Sequence, residues 1–320
     1  MNKEKCLIIG LGNIGLMYDV GLEKKYILSH SRAVEEHPCF ELVGGVDKSD
    51  KRRDLFKDIY RKPAFESLEE AIKKTIPTVI IIATSSNTHA SIFNEITKTI
   101  LPKAILCEKP LDHELKEAEK MLDLCSKKNI KLYANYIRRC DPTSIEIKKR
   151  IKNNSINKPI KGIVWYSKGL KNNGSHFINL LEDWFGECKN LYKISSGKYY
   201  DEIDDKDYDF ILNFKEADII FSASLEKSYS YNSIELFSSN GRLAYKNGGE
   251  EVYWQPVINS GFKKNKILGK KEILEESMHR YQYNVLDCMN QALQGKDSPI
   301  STGIDALSTL KIINRIINNG

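Results

Sequence analysis

Two residues able to carry protons stand where a turn meets a regular element. His176 follows Gly174 and Ser175 at the head of the stretch Asn172 to Gly186, in which Phe177, Leu180, Leu181 and Trp184 recur at helical spacing and form one buried stripe. His176, Asn179 and Asp183 fall on the adjoining polar face. A helix N-terminus disfavours an imidazolium, so His176 is expected in the neutral form that accepts a proton. Lys109, inside Glu108-Lys109-Pro110, follows the apolar run Ala104 to Cys107, which reads as a buried strand. An ammonium at the end of such a strand is partly desolvated, which eases proton exchange with an alcohol or ketone. Each residue also has a plainer reading, a helix-end histidine and a surface lysine, and neither stretch decides alone.

A third group of residues is suited to a phosphate. The apolar run Cys6 to Ile9 is followed at once by GLGNIG, with Gly10, Gly12 and Gly15 in the spacing G-x-G-x-x-G. Strand, tight turn and helix are expected: Gly10 permits the turn, Gly12 lets the backbone approach a pyrophosphate, and Gly15 lets the helix pack on the strand, with Asn13 and Ile14 completing the loop. A second strand-like run, Phe40 to Val46, ends at Asp47, whose carboxylate can accept hydrogen bonds from adenosine-ribose hydroxyls. Asp47 therefore argues for NAD, while Lys48, Arg52 and Arg53 close behind it leave NADP open. Asp47 lies 32 positions after Gly15, against the roughly 20 usual for such an acid. The excess points to an insertion over Met17 to Leu28, after which Ser29 to Pro38 reads as the helix resumed.

The elements that must position these residues follow a βαβ rhythm. The strand-like TVIII breaks into the polar loop ATSSNTHA, SIFNEITKTI reads as a helix, and strand, helix and strand recur between Ala104 and Tyr136. A doubly wound α/β parallel sheet is the economical arrangement, with the loops at the carboxyl ends of its strands forming the ligand crevice.

Bulk properties narrow the class. The net charge of +6 comes from 49 basic against 43 acidic residues, largely interleaved. Short basic clusters at Arg138-Arg139, Lys148-Lys149-Arg150 and Lys263-Lys264 suit an anionic small molecule. None interleaves with aromatics over a long run, so nucleic acid is not expected as a partner. No apolar run approaches the roughly 20 residues that span a bilayer, and the N-terminus lacks a signal-peptide pattern, so no membrane partner and a cytoplasmic location are expected. The seven cysteines show no C-x-x-C and no pairing with histidine, which points to reduced thiols and no metal.

Taken in order, GLGNIG, ATSSNTH, CEKP, NYIRRCDP and NNGSHFIN resemble the glucose-fructose oxidoreductase/inositol dehydrogenase (Gfo/Idh/MocA) family, and LQGKDSPISTGIDALSTLKIINRI resembles its closing loop and helix. The resemblance implies a Rossmann domain over residues 1–136 and, over 137–320, an α+β domain with an open, mostly antiparallel sheet that serves substrate binding and oligomerisation. The alternating runs IKGIVWYS, YDFILNF, DIIFSASLE, SIELFSS and EEVYWQPV fit such a sheet, with Asn240-Gly241 and Gly248-Gly249 as turns. Their aromatic residues Trp165, Tyr208, Phe210, Phe221 and Phe237 are expected on both faces, so an uncovered face would be an apolar patch and a homo-oligomer, dimer or tetramer, would cover it.

The resemblance also implies roles. Lys109 corresponds to the lysine of the family's E-K-P motif and His176 to its histidine, the two flanking one reacting carbon. Thr84, Ser85, His89, Glu108 and Lys109 itself join the glycine loop and Asp47 as cofactor contacts. Asn172 and Asn179 occupy positions where the family commonly has aspartate; with Lys109, His176, Arg138 and Arg139 they form the expected substrate set. An asparagine can orient an imidazole but cannot stabilise an imidazolium as a carboxylate does. Arginines suit phosphate or carboxylate, and a salt bridge between domains is the alternative for Arg138 and Arg139. The expected function is a dehydrogenase or reductase, NAD-dependent with NADP open, acting on a sugar or nucleotide-sugar hydroxyl or ketone. The alternatives are a dehydrogenase of a free sugar or cyclic polyol and a non-catalytic dinucleotide sensor.

Overall fold

The computed structural model describes residues 3–199, 205–224, 229–261 and 265–318; the Lys263-Lys264 cluster and the end of the run DIIFSASLE lie outside them. The chain divides into two compact units, Met1–Cys140 with His279–Ser308, and Asp141–Met278 with Thr309–Gly320.

The first unit alternates strand and helix: β1 (Glu4–Ile9), α1 (His30–Glu36), β2 (Phe40–Val46), α2 (Asp50–Tyr60), β3 (Ala64–Phe65), α3 (Leu68–Thr75), β4 (Val79–Ile82), α4 (His89–Thr99), β5 (Ala104–Cys107), α5 (Leu115–Lys128) and β6 (Lys131–Ala134). The six strands pair in parallel in the order β3-β2-β1-β4-β5-β6, the dinucleotide-binding order expected of a doubly wound sheet. Every residue of β4 and β5 is buried, because helices cover both faces of a parallel sheet; the unbroken apolar runs VIII and AILC follow from that. Serine caps open α1 and α3: Ser29 accepts the Arg32 N–H and Ser67 that of Glu70.

The second unit contains α6 (Pro142–Lys152), β7 (Ile160–Tyr166), α7 (Ser175–Phe185), β8 (Asn190–Tyr199), β9 (Lys206–Asn213), β10 (Ala217–Ala223), β11 (Ser233–Ser238), β12 (Gly241–Lys246), β13 (Glu251–Asn259), β14 (Lys266–Leu268) and β15 (Glu272–Leu274). Its sheet runs β14-β13-β12-β11-β7-β10-β9-β8, with β15 also on β13; among the described residues only the β7–β10 pairing is parallel. The α+β class is therefore as expected. Phe177, Leu180, Leu181 and Trp184 of α7 are buried in one core with Tyr166, Phe210 and Phe221. Tyr208, Phe210 and Phe221 belong to that core, whereas Trp165 and Phe237 are exposed, so aromatic residues stand on both faces as expected.

The domain limits differ from the expected division at 136/137. The first unit reaches Cys140 and takes back His279–Ser308, which carries α8 (Tyr281–Leu293) and the start of α9 (Gly303–Asn318). The reason is packing: Val285, Leu286, Cys288 and Met289 share a core with Val34 and Phe40 of the first unit. Among the described residues no helix is long and apolar enough to cross a membrane.

Candidate active site

The glycine loop does not run into a helix in the way the motif suggests. After Gly15 the chain leaves through a short 3-10 turn, Met17–Asp19, and α1 begins only at His30. The His30 N–H bonds the Ile14 carbonyl at 2.9 Å and that of Ser31 the Gly15 carbonyl at 3.0 Å, so His30 and Ser31 take the places residues 18 and 19 would hold in an uninterrupted helix. The insertion is thus a loop spliced out of one helix. It is tightly held: Asp19 accepts the Leu28 and Ser29 N–H groups and the Ser29 hydroxyl, and Arg32 donates to the carbonyls of Asp19 and Tyr26.

The glycines are required by space. Gly10 has φ +94° and a methyl there would lie 2.7 Å from the Ala83 carbonyl oxygen; at Gly15 it would lie 1.9 Å from the Gly10 carbonyl oxygen. At Gly12 nothing is nearer than Arg52 Nη1 at 3.9 Å, so its open side faces the cleft. That cleft, about 630 Å³, is lined by Gly10, Gly12, Asn13 and Ile14 together with Asp47, Thr84 and Ser85, which the structure brings to one place. Such a cradle, at the carboxyl ends of β1, β2 and β4, fits a dinucleotide. Gly15 sits beneath it as a packing residue. Tyr18, Lys48, Arg52, Ser67 and Leu68 also line it; Tyr18 comes from the insertion and the others from loops and helix starts with no motif to mark them.

Asp47 is held in position from two sides, Oδ2 accepting the Leu11 N–H at 2.8 Å and Oδ1 the Ser49 N–H at 2.8 Å. Arg52 Nη1 lies 3.6 Å from Oδ2. His89 and Glu108, both expected as cofactor contacts, face other partners. His89 is fully buried, its Nε2 3.1 Å from the Thr84 carbonyl and its Nδ1 3.0 Å from that of Pro110, so it fastens the loop after β4 to the Glu108-Lys109-Pro110 loop after β5. The Glu108 carboxylate lies 2.6 Å from His30 Nε2 and accepts from Asn135 Nδ2 at 2.6 Å. Burial alone would push this carboxyl up, but the bond and charge of His30, the Asn135 bond and the Lys109 ammonium outweigh it and hold it below the ordinary carboxylate range. Lys109 is half-buried in the same loop. Arg139 is buried, 3.5 Å from Asp305 within the first unit, so the ion-pair reading fits it, although the pair joins no two domains; Arg138 is half-buried near Tyr281.

His176 lies in the second unit, buried in the first turn of α7 after a π-helical turn, Gly169–Gly174. That turn is fixed by two carboxylates: Asp205 accepts the Lys171 and Asn172 N–H groups, each at 2.9 Å, and Asp207 accepts that of Gly169 at 3.0 Å. Asn172 is exposed beside this turn. Asn179, expected to meet substrate, is fully buried and donates to Thr309 at 3.0 Å, with the Thr309 hydroxyl bonded to Glu182 at 2.7 Å. It ties α7 to α9 because the apolar stripe of α7 turns this face inward too. Sequence reasoning missed Asp205, which lies in an acidic run, DEIDDKD, with no spacing to single it out.

Comparison with known proteins agrees with this geometry. Residues 4–136 match the model of the Gfo/Idh/MocA family, described as an oxidoreductase family with NAD-binding Rossmann fold. Over 152 residues, 48% of this chain, the sequence is 24% identical to myo-inositol 2-dehydrogenase of Thermotoga maritima, and the match spans only 42% of that relative's length. The fold is similar to an NAD binding oxidoreductase from Klebsiella pneumoniae (TM-score 0.78, 13% identity, 99% of this chain and 98% of that one). It is also similar to the WlbA dehydrogenase from Bordetella pertussis, solved with NADH and UDP-GlcNAcA (TM-score 0.75, 15% identity, 100% and 98%). At such identities the structural likeness speaks for the fold alone. With the glycine cradle and Asp47 in place, residues 4–136 match the NAD-binding Rossmann domain of the Gfo/Idh/MocA oxidoreductases.

Proposed function

We propose that the protein is a dehydrogenase or reductase that moves a hydride between NAD and a carbon bearing a hydroxyl or ketone on a sugar or nucleotide-linked sugar. The observation that carries this reading is the tie made by His89: the Lys109 loop is fastened to the Thr84 loop that lines the dinucleotide cleft, so the side chain best able to exchange a proton is kept beside the cofactor end of the sheet. Lys109 serves as the proton carrier for the substrate oxygen and His176 as the second acid–base group. NAD, when bound, supplies the hydride acceptor; the protein binds, orients and moves the proton. Arg138 and the basic balance of the chain favour an anionic substrate, and the UDP-sugar acid bound by the Bordetella relative is of that kind. A free polyol such as myo-inositol, the substrate in the name of the Thermotoga relative, is the second reading.

The test is single-turnover reduction of NAD, read by nicotinamide absorbance, with UDP-sugars, UDP-uronic acids and inositols in turn. Reduction with the UDP-linked sugars alone supports the first reading and with inositols alone the second; binding of NAD without reduction by any of them leaves a dinucleotide sensor. In the active case Lys109→Ala and His176→Ala are each expected to lower turnover by about 100-fold while NAD still binds.

A further inference from the structure

The insertion after Gly15 leaves its helix through a widened turn. The Leu16 N–H bonds the Gly12 carbonyl at 2.9 Å, four residues back as in an α-helix, but the Met17 N–H reaches the same carbonyl at 3.1 Å and that of Tyr18 the Asn13 carbonyl at 3.0 Å, each five residues back. Turns widened in this way recur at functional sites. Because His30 and Ser31 take the carbonyls of Ile14 and Gly15, Tyr18 is displaced from the helix, and it lines the dinucleotide cleft beside Gly12, Asn13 and Ile14. Met17, Tyr18, Val20 and Leu22 of the insertion are all exposed, Tyr18 at 50%, yet of these four Tyr18 alone lines the cleft. The loop that carries it is fixed at both ends. Asp19 accepts the Leu28 and Ser29 N–H groups, and the Ile27 N–H bonds the His279 carbonyl at 3.0 Å while the Ile27 side chain enters the core of the first unit. A side chain on a wall already ordered gives up little freedom when a ligand docks against it.

We infer that Tyr18 is a cofactor-binding residue: the spliced loop holds its ring beside the glycine loop so that it covers the pyrophosphate of the bound dinucleotide and screens it from water. The role is independent of the substrate and of the reading of Lys109 and His176. The chemistry of the cleft gives the screen its value. The cations that line it are Lys48 and Arg52, and both belong to the Asp47 end, Lys48 as its neighbour in the chain and Arg52 Nη1 at 3.6 Å from its carboxylate. Beside the glycine loop the lining offers neutral donors, Asn13, Thr84 and Ser85 with the backbone. Hydrogen bonds from neutral dipoles to a phosphate strengthen as water is excluded, because the local dielectric falls. An aromatic ring suits the task, since it covers a large area with few rotatable bonds and its apolar face gains by leaving water.

Calorimetric titration with NAD, ADP-ribose and AMP tests this without any substrate, since the first two carry the pyrophosphate and AMP does not. In Tyr18→Ala the affinities for NAD and ADP-ribose are expected to fall together by about tenfold, the worth of covering part of an aromatic side chain, while AMP binds as before and so reports an intact cleft. Stopped-flow release of NADH, followed by its fluorescence, should quicken by a similar factor. Tyr18→Phe keeps the ring and is expected to stay near the unmodified protein, as is Val20→Ala, which alters the same loop away from the cleft. Unchanged NAD affinity in Tyr18→Ala overturns the inference. So does a loss shared equally by AMP, which would put Tyr18 at the adenosine, a loss confined to NAD, which would put it at the nicotinamide, or a Tyr18→Phe protein as weak as Tyr18→Ala.

Discussion

Asp205 closes the turn that carries Asn172: its Oδ2 accepts the Asn172 N–H at 2.9 Å while Oδ1 takes that of Lys171. A carboxylate therefore does stand at the entrance to α7, supplied by a residue 33 positions downstream rather than by residue 172 itself. It lies at the positive end of the helical segment, where an anion is favoured. Removing it leaves two backbone donors without their partner. Asp205→Ala is expected to destabilise the second unit by about 3 kcal/mol, since hydrogen bonds to a charged group contribute about 1.5–3 kcal/mol each. All three tryptophans, Trp165, Trp184 and Trp254, lie in that unit, so urea unfolding followed by tryptophan fluorescence measures it directly. A midpoint equal to that of the unmodified protein would show that the turn stands without Asp205.

Cofactor choice is predicted to depend on Asp47. Its two backbone bonds fix the carboxylate at the end of β2 with the remaining lone pairs available to ribose hydroxyls. Asp47→Ala is expected to weaken NAD binding by about tenfold or more, the loss of one charge-assisted bond, and to narrow the preference for NAD over NADP as Lys48 and Arg52 lose their acidic neighbour. Calorimetric titration with both dinucleotides measures this; tighter binding of NADP than NAD by the unmodified protein would contradict it.

The Glu108 carboxylate gives the first unit a pH dependence of defined sign. Its folded value lies below the ordinary carboxylate value, so its contribution to stability is fully present above that ordinary value and is lost as pH falls through the folded one. Thermal unfolding of Glu108→Gln should therefore fall well below that of the unmodified protein at pH 7, and the difference should shrink as the pH is lowered towards about 3. A constant difference across that range would show that ionisation of Glu108 contributes nothing to folding.

An apolar row crosses the outer face of the second sheet. Tyr192 pairs with Ile211, Ile211 with Ile220 and Ile220 with Ile163, and Tyr192 and Ile220 are exposed. Such a row over four strands is the kind of surface a second copy of the chain covers. Light scattering should give a dimer or tetramer at micromolar concentration and a smaller species for Ile220→Lys. A monomer before substitution would count against this surface as an oligomer contact.

Much of the first unit was legible because burial on both faces leaves unbroken apolar runs: β4 and β5 stand in the sequence as VIII and AILC. In the second unit β7, β9, β10, β11 and β13 showed their alternation, whereas β8 is broken by Ser195, Ser196 and Gly197 and β12, GRLAYK, begins at the turn Asn240-Gly241, and neither stood out. The site was legible where local geometry demands a residue type, as at Gly10 and Gly15, and illegible where a partner comes from afar. The excess spacing before Asp47 marked the insertion, but nothing in the sequence shows that the splice sets His30 against Glu108, 78 positions away, so that tie was hidden. Asn179 was misplaced for the converse reason: a polar side chain on a helix reads as solvent- or ligand-facing, and burial with a hydrogen-bond partner cannot be told from it by periodicity.

The return of His279–Ser308 to the first unit sets an order on synthesis. Residues 1–140 leave the ribosome first, yet the core around Val34 and Phe40 lacks Val285, Leu286 and Met289 until residues 141–278 have also been made. The nascent Rossmann domain therefore exposes an apolar surface on α1 for the whole of that interval, and Gln282 reaches Asn135 only near the end. The first unit, although most of it is made before the second, is completed only after most of the second has also been made.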